Sequence, residues 1–138
     1  MMNKNTENAK KILSEGGYTV VLTDGEKVLT SYERGVKPLL SFLESGEDFS
    51  RFSAADKVVG SAAAYLYVLM NVKEVYAGTL SEGARKVFGT YSVPHFCGDA
   101  VPFIINRKGD GMCPMESAVK KAVDADDALK KILERIGQ

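Results

Sequence analysis

The chain has 138 residues, 45% hydrophobic and 26% charged, with 18 Lys plus Arg against 18 Asp plus Glu. That is the size and composition of one globular domain able to bury a core of its own. With the charge balanced, no basic excess argues for nucleic acid and no acidic excess argues for disorder.

Thr6 to Glu15 reads as an amphipathic helix with Ala9, Ile12 and Leu13 on one face, stopped by Gly16-Gly17. Tyr18 to Leu22 is β-rich, Asp24-Gly25 is a strong turn signal, and Lys27 to Thr30 resumes a strand, so this stretch is a hairpin. Val36 to Glu44 is a short helix with Pro38 in its first turn, where a missing N–H does no harm, and Gly46 ends it. Ser53-Ala54-Ala55-Asp56 fits a capping box opening a helix to Met70 that is apolar almost all round, with Gly60 inside it. Lys73 to Leu80 is the next strand. Thr79-Leu80-Ser81-Glu82 is a second capping box, opening a helix to Phe88. Val93 to Cys97 is a third core strand, and Val101 to Ile105 a short apolar run, strand or turn. Asn106 to Gly111 is a glycine loop. Cys113-Pro114-Met115-Glu116 starts a helix with Pro at N1 and Glu at N3, and Asp126 to Ile136 is the last helix.

A hairpin followed by helix, strand, helix and strand implies a mixed sheet, with right-handed crossovers in the later connections. The expected architecture is a three-layer α/β/α sandwich formed by a single domain, 1–138. No apolar run reaches the roughly 18 residues of a spanning helix, and the polar start lacks the apolar segment of a secretory signal. A cytoplasmic location without a membrane partner is expected, with Cys97 and Cys113 as free thiols.

This layout resembles the cytidine-deaminase-like fold, in which two successive helix starts carry His-or-Cys-x-Glu and Pro-Cys-x-x-Cys around a zinc ion. The matching positions here read Ala55-Asp56-Lys57-Val58-Val59-Gly60 and Thr79-Leu80-Ser81-Glu82-Gly83-Ala84, with neither Cys nor His. The chain is also similar to a family of uncharacterised prokaryotic proteins of this fold. That likeness is carried by Asp56 to Gly60 with Ala62 to Ala64, Ser81-Glu82, Val101-Pro102, Ile105-Asn106-Arg107 and Gly111 to Glu116. It implies a fold and a ligand site, and no activity.

A catalytic zinc needs three protein ligands and an open position. The chain offers His95, Cys97 and the distant Cys113, without a short-spaced ligand pair or adjacent Glu. No metal site and no cofactor are expected.

Cys113 is the first catalytic candidate. It stands at a helix start that favours the thiolate, and its bland alternative is a simple N-cap with Glu116 completing the box. Asp56 suits a ribose hydroxyl or general-base work, or else is only the carboxylate of a capping box. Lys57 suits an anion, helped by free N–H groups at a helix start. Thr79, Ser81 and Glu82 form the rim at the second helix start, where one of them serves as a cap. Asn106 and Arg107 precede the glycine loop, and Arg suits bidentate recognition of phosphate.

The leading expectation is a deaminase-fold protein without catalytic zinc that binds a small anionic ligand, such as a nucleotide or nucleoside, through Lys57, Thr79, Ser81, Glu82, Asn106, Arg107 and Glu116. The alternatives are an enzyme using Cys113 as nucleophile or redox thiol, and a non-catalytic homo-oligomeric interaction module.

Overall fold

The structure is a computed structural model that describes residues 1–137. The elements run α1 (Lys4–Gly16), β1 (Val20–Thr23), β2 (Val28–Ser31), α2 (Lys37–Glu44), β3 (Ser53–Val59), α3 (Ser61–Met70), β4 (Glu74–Ser81), α4 (Glu82–Thr90), β5 (His95–Val101), α5 (Pro114–Ala118) and α6 (Ala125–Ile136). The strands form one mixed sheet in the order β2-β1-β3-β4-β5. The hairpin lies antiparallel to β3, and β3, β4 and β5 run parallel. Connections between parallel neighbours must cross over, and α3 and α4 do so.

Strand alternation sends Val20 and Leu22 to one face of the sheet and Val21 to the other. The first face meets the larger core, where Tyr67, Leu66, Phe88 and Ile132 are fully buried. Burying each such side chain contributes about 1.5–3 kcal/mol, so this cluster dominates the hydrophobic stabilisation. Among the described residues the second face meets α1, through Ala9 and Leu13 against Val21 and Ala55. Asn3 fixes the start of α1: its side chain accepts the Thr6 N–H at 2.8 Å and the Ser53 hydroxyl at 3.1 Å, and its own N–H donates to buried Glu74 at 2.8 Å. One cap thereby ties α1 to β3 and β4.

Two expected helix starts are overturned: Thr79 lies within β4 and Ser81 caps α4 in its place, and the change at Ser53 is the larger one. The capping box at Ser53 does not form, and Ser53 to Val59 is the central strand rather than the opening of a helix. Ser53 pairs with both Thr23 and Glu74, so without this strand the hairpin would have nothing to join. Gly60, in extended conformation, ends the strand, and the helix begins at Ser61. Helix propensity in the Ala-rich stretch yields to ladder pairing on two sides. Farther on, β5 extends to Val101, and Ile105 bridges Met112 in a small hairpin of its own.

The three parallel strands share a slip in side-chain alternation, with the pairing offsets unchanged across it. Ala77 and Leu80, three residues apart, both reach the larger core, so alternation is lost between them. The register passes from Asp56↔Ala77 to Val58↔Thr79, and from Ala77↔Cys97 to Thr79↔Asp99, leaving Lys57, Gly78 and Gly98 outside the ladder. A Cβ on Gly78 would sit 2.7 Å from the Lys57 carbonyl oxygen, and one on Gly98 2.9 Å from that of Gly78. Backbone cannot yield as a flexible side chain does. Gly78→Ala is therefore expected to destabilise the fold by about 2 kcal/mol, measured by urea unfolding. A cost below about 0.5 kcal/mol would show that the strands separate freely here.

Candidate functional site

The parallel strands of an α/β sheet deliver their C-terminal ends, and the helix starts that follow, to one rim. Here α3 and α4 begin side by side. The Ser61 hydroxyl lies so close to Gly83 that a Cβ there would overlap it. Ser81 is the buried N-cap of α4, its hydroxyl accepting the Ala84 N–H at 3.0 Å. Gly60, the N-cap of α3, has no side chain to do the same.

That role falls to Glu116. Its buried carboxylate accepts the Ser61 N–H, and also the Ile104 N–H at 3.4 Å. A helix N-terminus attracts anions through its free N–H groups and its dipole. The anion at this rim is thus one of the chain's own carboxylates. Gly60 makes room for it, since a Cβ there would come within 2.6 Å of a Glu116 oxygen.

The remaining nominated residues separate by sheet face. Asp56 points to the helical face, where its Oδ2 accepts the Tyr67 hydroxyl at 2.6 Å and its Oδ1 the Val58 N–H at 3.2 Å. Burial pushes the Asp56 carboxyl up to about 7, while hydrogen bonds from Tyr67 and from the Val58 and Lys57 backbone pull it down. Burial, and then the Asp56 charge, hold the Tyr67 hydroxyl well above the usual phenol range. Cys113 is half-buried on the same face, in the segment that packs on α3. Its backbone N–H donates to Ile104 at 2.7 Å, and α5, which it opens, has only five residues. Glu82 is exposed at the start of α4. Asn106 closes its loop against Asp110 at 2.9 Å, and Arg107 is exposed beside it. His95 holds the Val93 carbonyl at 2.8 Å and packs on Phe88, 5.2 Å between ring centroids. Among the described residues no three His, Cys, Asp or Glu side chains are placed to hold a metal ion.

Lys57 and Thr79 lie on the other face. Neither belongs to a helix start; the strand register makes them neighbours at the slip. They line a groove with Val58, Tyr76 and Gly78, closed along one side by Leu13, Ser14 and Gly17 at the end of α1. The Lys10 ammonium stands 4.6 Å above the Tyr76 ring, a cation–π contact that fixes this wall. The Lys57 ammonium and Thr79 hydroxyl have no partner among the described residues. The sheet therefore stands between Lys57 and Cys113. Tyr76 and Gly78 did not come out of the sequence reading; Gly78 inside a strand is the signal that marks close backbone approach.

Comparison with known proteins gives a family and a fold. The family model "TM1506: Domain of unknown function (DUF1893)" matches residues 8–136. The crystal structure of a DUF1893 family protein from Thermotoga maritima is similar with a TM-score of 0.90 at 24% identity, covering 98% of this chain and 92% of that one. No curated protein matches.

Proposed function

Since the chain belongs to the DUF1893 family, whose description assigns no activity, we propose a function from its own groove: it binds a small anionic ligand, such as a nucleotide or nucleoside, on a cytidine-deaminase-like fold that works without zinc. The observation that carries this reading is the pair Lys57 and Thr79, a cation and a hydroxyl left unpartnered in one groove. The deaminase-like part is supported by an antiparallel hairpin beside three parallel strands, with α3 and α4 as crossovers whose starts adjoin. The zinc-free part is supported by the residues at those starts, Gly60-Ser61 and Ser81-Glu82, which supply no metal-binding nitrogen or sulfur.

The site proposed is narrower than the sequence implied. Ser81 and Glu116 spend their acceptors on α4 and α3, and Arg107 stands on a separate hairpin. Lys57 supplies the charge and Thr79 a directional hydrogen bond. Lys57→Met keeps the aliphatic stem and removes the ammonium, so it is expected to weaken nucleotide binding about tenfold in calorimetric titration, the value of one charge-assisted contact. Saturating ligand at about a hundred times Kd should stabilise the wild type by about 2.7 kcal/mol. The reading fails if no nucleotide or nucleoside at millimolar concentration moves the melting midpoint, or if Lys57→Met binds as tightly as the wild type.

A further inference from the structure

Thr79 lines the groove, and its register partner on the edge strand is Asp99. Register partners on neighbouring strands point to the same face. Val58 and Thr79, themselves partners, obey this, since both line the groove. Asp99 therefore extends the groove by one strand. Neighbouring strands stand about 4.8 Å apart, so Lys57 on β3, Thr79 on β4 and Asp99 on β5 span about 10 Å. The row reads cation, hydroxyl, carboxylate. Gly78 and Gly98 lie beside it, and the Tyr76 hydroxyl stands over Gly98, so the floor at the slip is backbone with one phenol on it.

Asp99 is exposed and, among the described residues, has no partner. The intervening strand keeps it from pairing with Lys57. Such a row selects a ligand with an anion at one end and hydrogen-bond donors at the other. An ionised carboxylate only accepts, so the far end must donate, and it repels a phosphate placed there. A ribose 5′-phosphate has this polarity: a dianion on one side of the sugar and a vicinal diol on the other. A carboxylate accepting from ribose hydroxyls is the recognition used by dinucleotide-binding sheets.

We propose that Asp99 binds a vicinal diol and that the ligand of this groove is a ribose 5′-phosphate compound of the nucleoside monophosphate class. The phosphate sits on Lys57 with the Thr79 hydroxyl donating to it, and the diol donates to Asp99. This rests on the anion-binding reading of the groove and adds its direction and the sugar.

Calorimetric titration of the full chain tests it, with adenosine 5′-monophosphate, its 2′,3′-dideoxy analogue and glutamate against wild type, Lys57→Met and Asp99→Asn. The expected result is a loss of about tenfold for the monophosphate in Asp99→Asn, and a similar loss for the dideoxy analogue in wild type. The dideoxy analogue should bind Asp99→Asn as well as or better than wild type, because a like charge has gone and no diol is missed. A structural role for Asp99 would lower both ligands together. If Asp99→Asn changes monophosphate affinity less than twofold while Lys57→Met weakens it, the diol assignment falls and the anion reading stands. If wild type binds neither phosphate compound at millimolar concentration, both fall. If glutamate binds in an Asp99-dependent way and the monophosphate does not, the groove takes amino acids and the proposal is overturned.

Discussion

Glu116→Ala is expected to cost about 3 kcal/mol of folding stability. The side chain is 6% exposed and caps α3 from 55 residues away in sequence. An ordinary N-cap is worth about 0.5–2 kcal/mol, and a hydrogen bond to a charged group about 1.5–3 kcal/mol. Glu116 combines both and also holds the Ile104 N–H, so its loss leaves two backbone donors without their partner. It also releases the hairpin around the Ile105–Met112 bridge from the start of α3. For a chain of this length the melting midpoint should fall by about 10 °C. Glu116→Gln keeps an acceptor of the same reach and should cost only about 1 kcal/mol. Hydrogen exchange gives the local check: the Ser61 and Ile104 amides should lose protection in Glu116→Ala before the core strands do. Equal loss in the alanine and glutamine variants would mean that packing, not capping, holds Glu116 in place.

Where a local rule suffices, the sequence is readable. Asp24-Gly25 makes its turn because Gly25 adopts a φ of 101° and the Asp24 side chain accepts the Glu26 and Lys27 N–H groups. Pro114 opens α5 as its spacing requires, whereas α4 is capped by Ser81 and not by Thr79, where the second capping box puts the cap. Ser53 to Asp56 shows where such rules fail. Its capping pattern is genuine as a pattern, but a strand was needed between β1 and β4, and only pairing with residues 30 to 36 positions back and 21 ahead selects it. The same misreading put Asp56 and Lys57 together at a helix start. As strand neighbours they face opposite ways, which splits one imagined pocket into an interior Asp56–Tyr67 pair and an outward groove. The helix-start pattern points to Glu116 as a ligand-binding residue, and the group it binds is the chain's own backbone. Lys57 and Thr79 are brought together by parallel register, which no local motif encodes.

Stability is expected to fall as pH rises from about 4 to 8, and Asp56→Asn to remove most of that slope. The sign follows from the pKa. The Asp56 carboxyl titrates near 7 in the folded chain against 3.8 unperturbed. Below about 4 both states hold the proton and the group contributes no difference. Between the two values the unfolded chain releases its proton and the folded chain keeps it, so each pH unit costs the native state up to about 1.4 kcal/mol. Above the folded value both are ionised and the cost levels off, at an upper bound of about 4 kcal/mol. Relaxation around a partly accessible carboxylate brings the expected figure nearer to 2 kcal/mol. Asp24, Asp48 and Asp127 work in the opposite sense: their carboxyls are held below the usual value, so their contribution is lost only in more acidic solution. The interval from pH 5 to 8 therefore isolates Asp56 among the shifted carboxylates. Tyr67→Phe removes the hydrogen bond that favours the charged form and should extend the fall in stability to higher pH, its lower end near pH 4 staying fixed. Urea midpoints at four pH values for the three proteins decide the matter, and parallel wild-type and Asp56→Asn curves would remove Asp56 from the account. The Val58 amide, bonded to Asp56 Oδ1 and lining the groove on the opposite face, should titrate with the same midpoint. If it does, the charge of an interior carboxylate is felt at the strand slip where Lys57 turns outward.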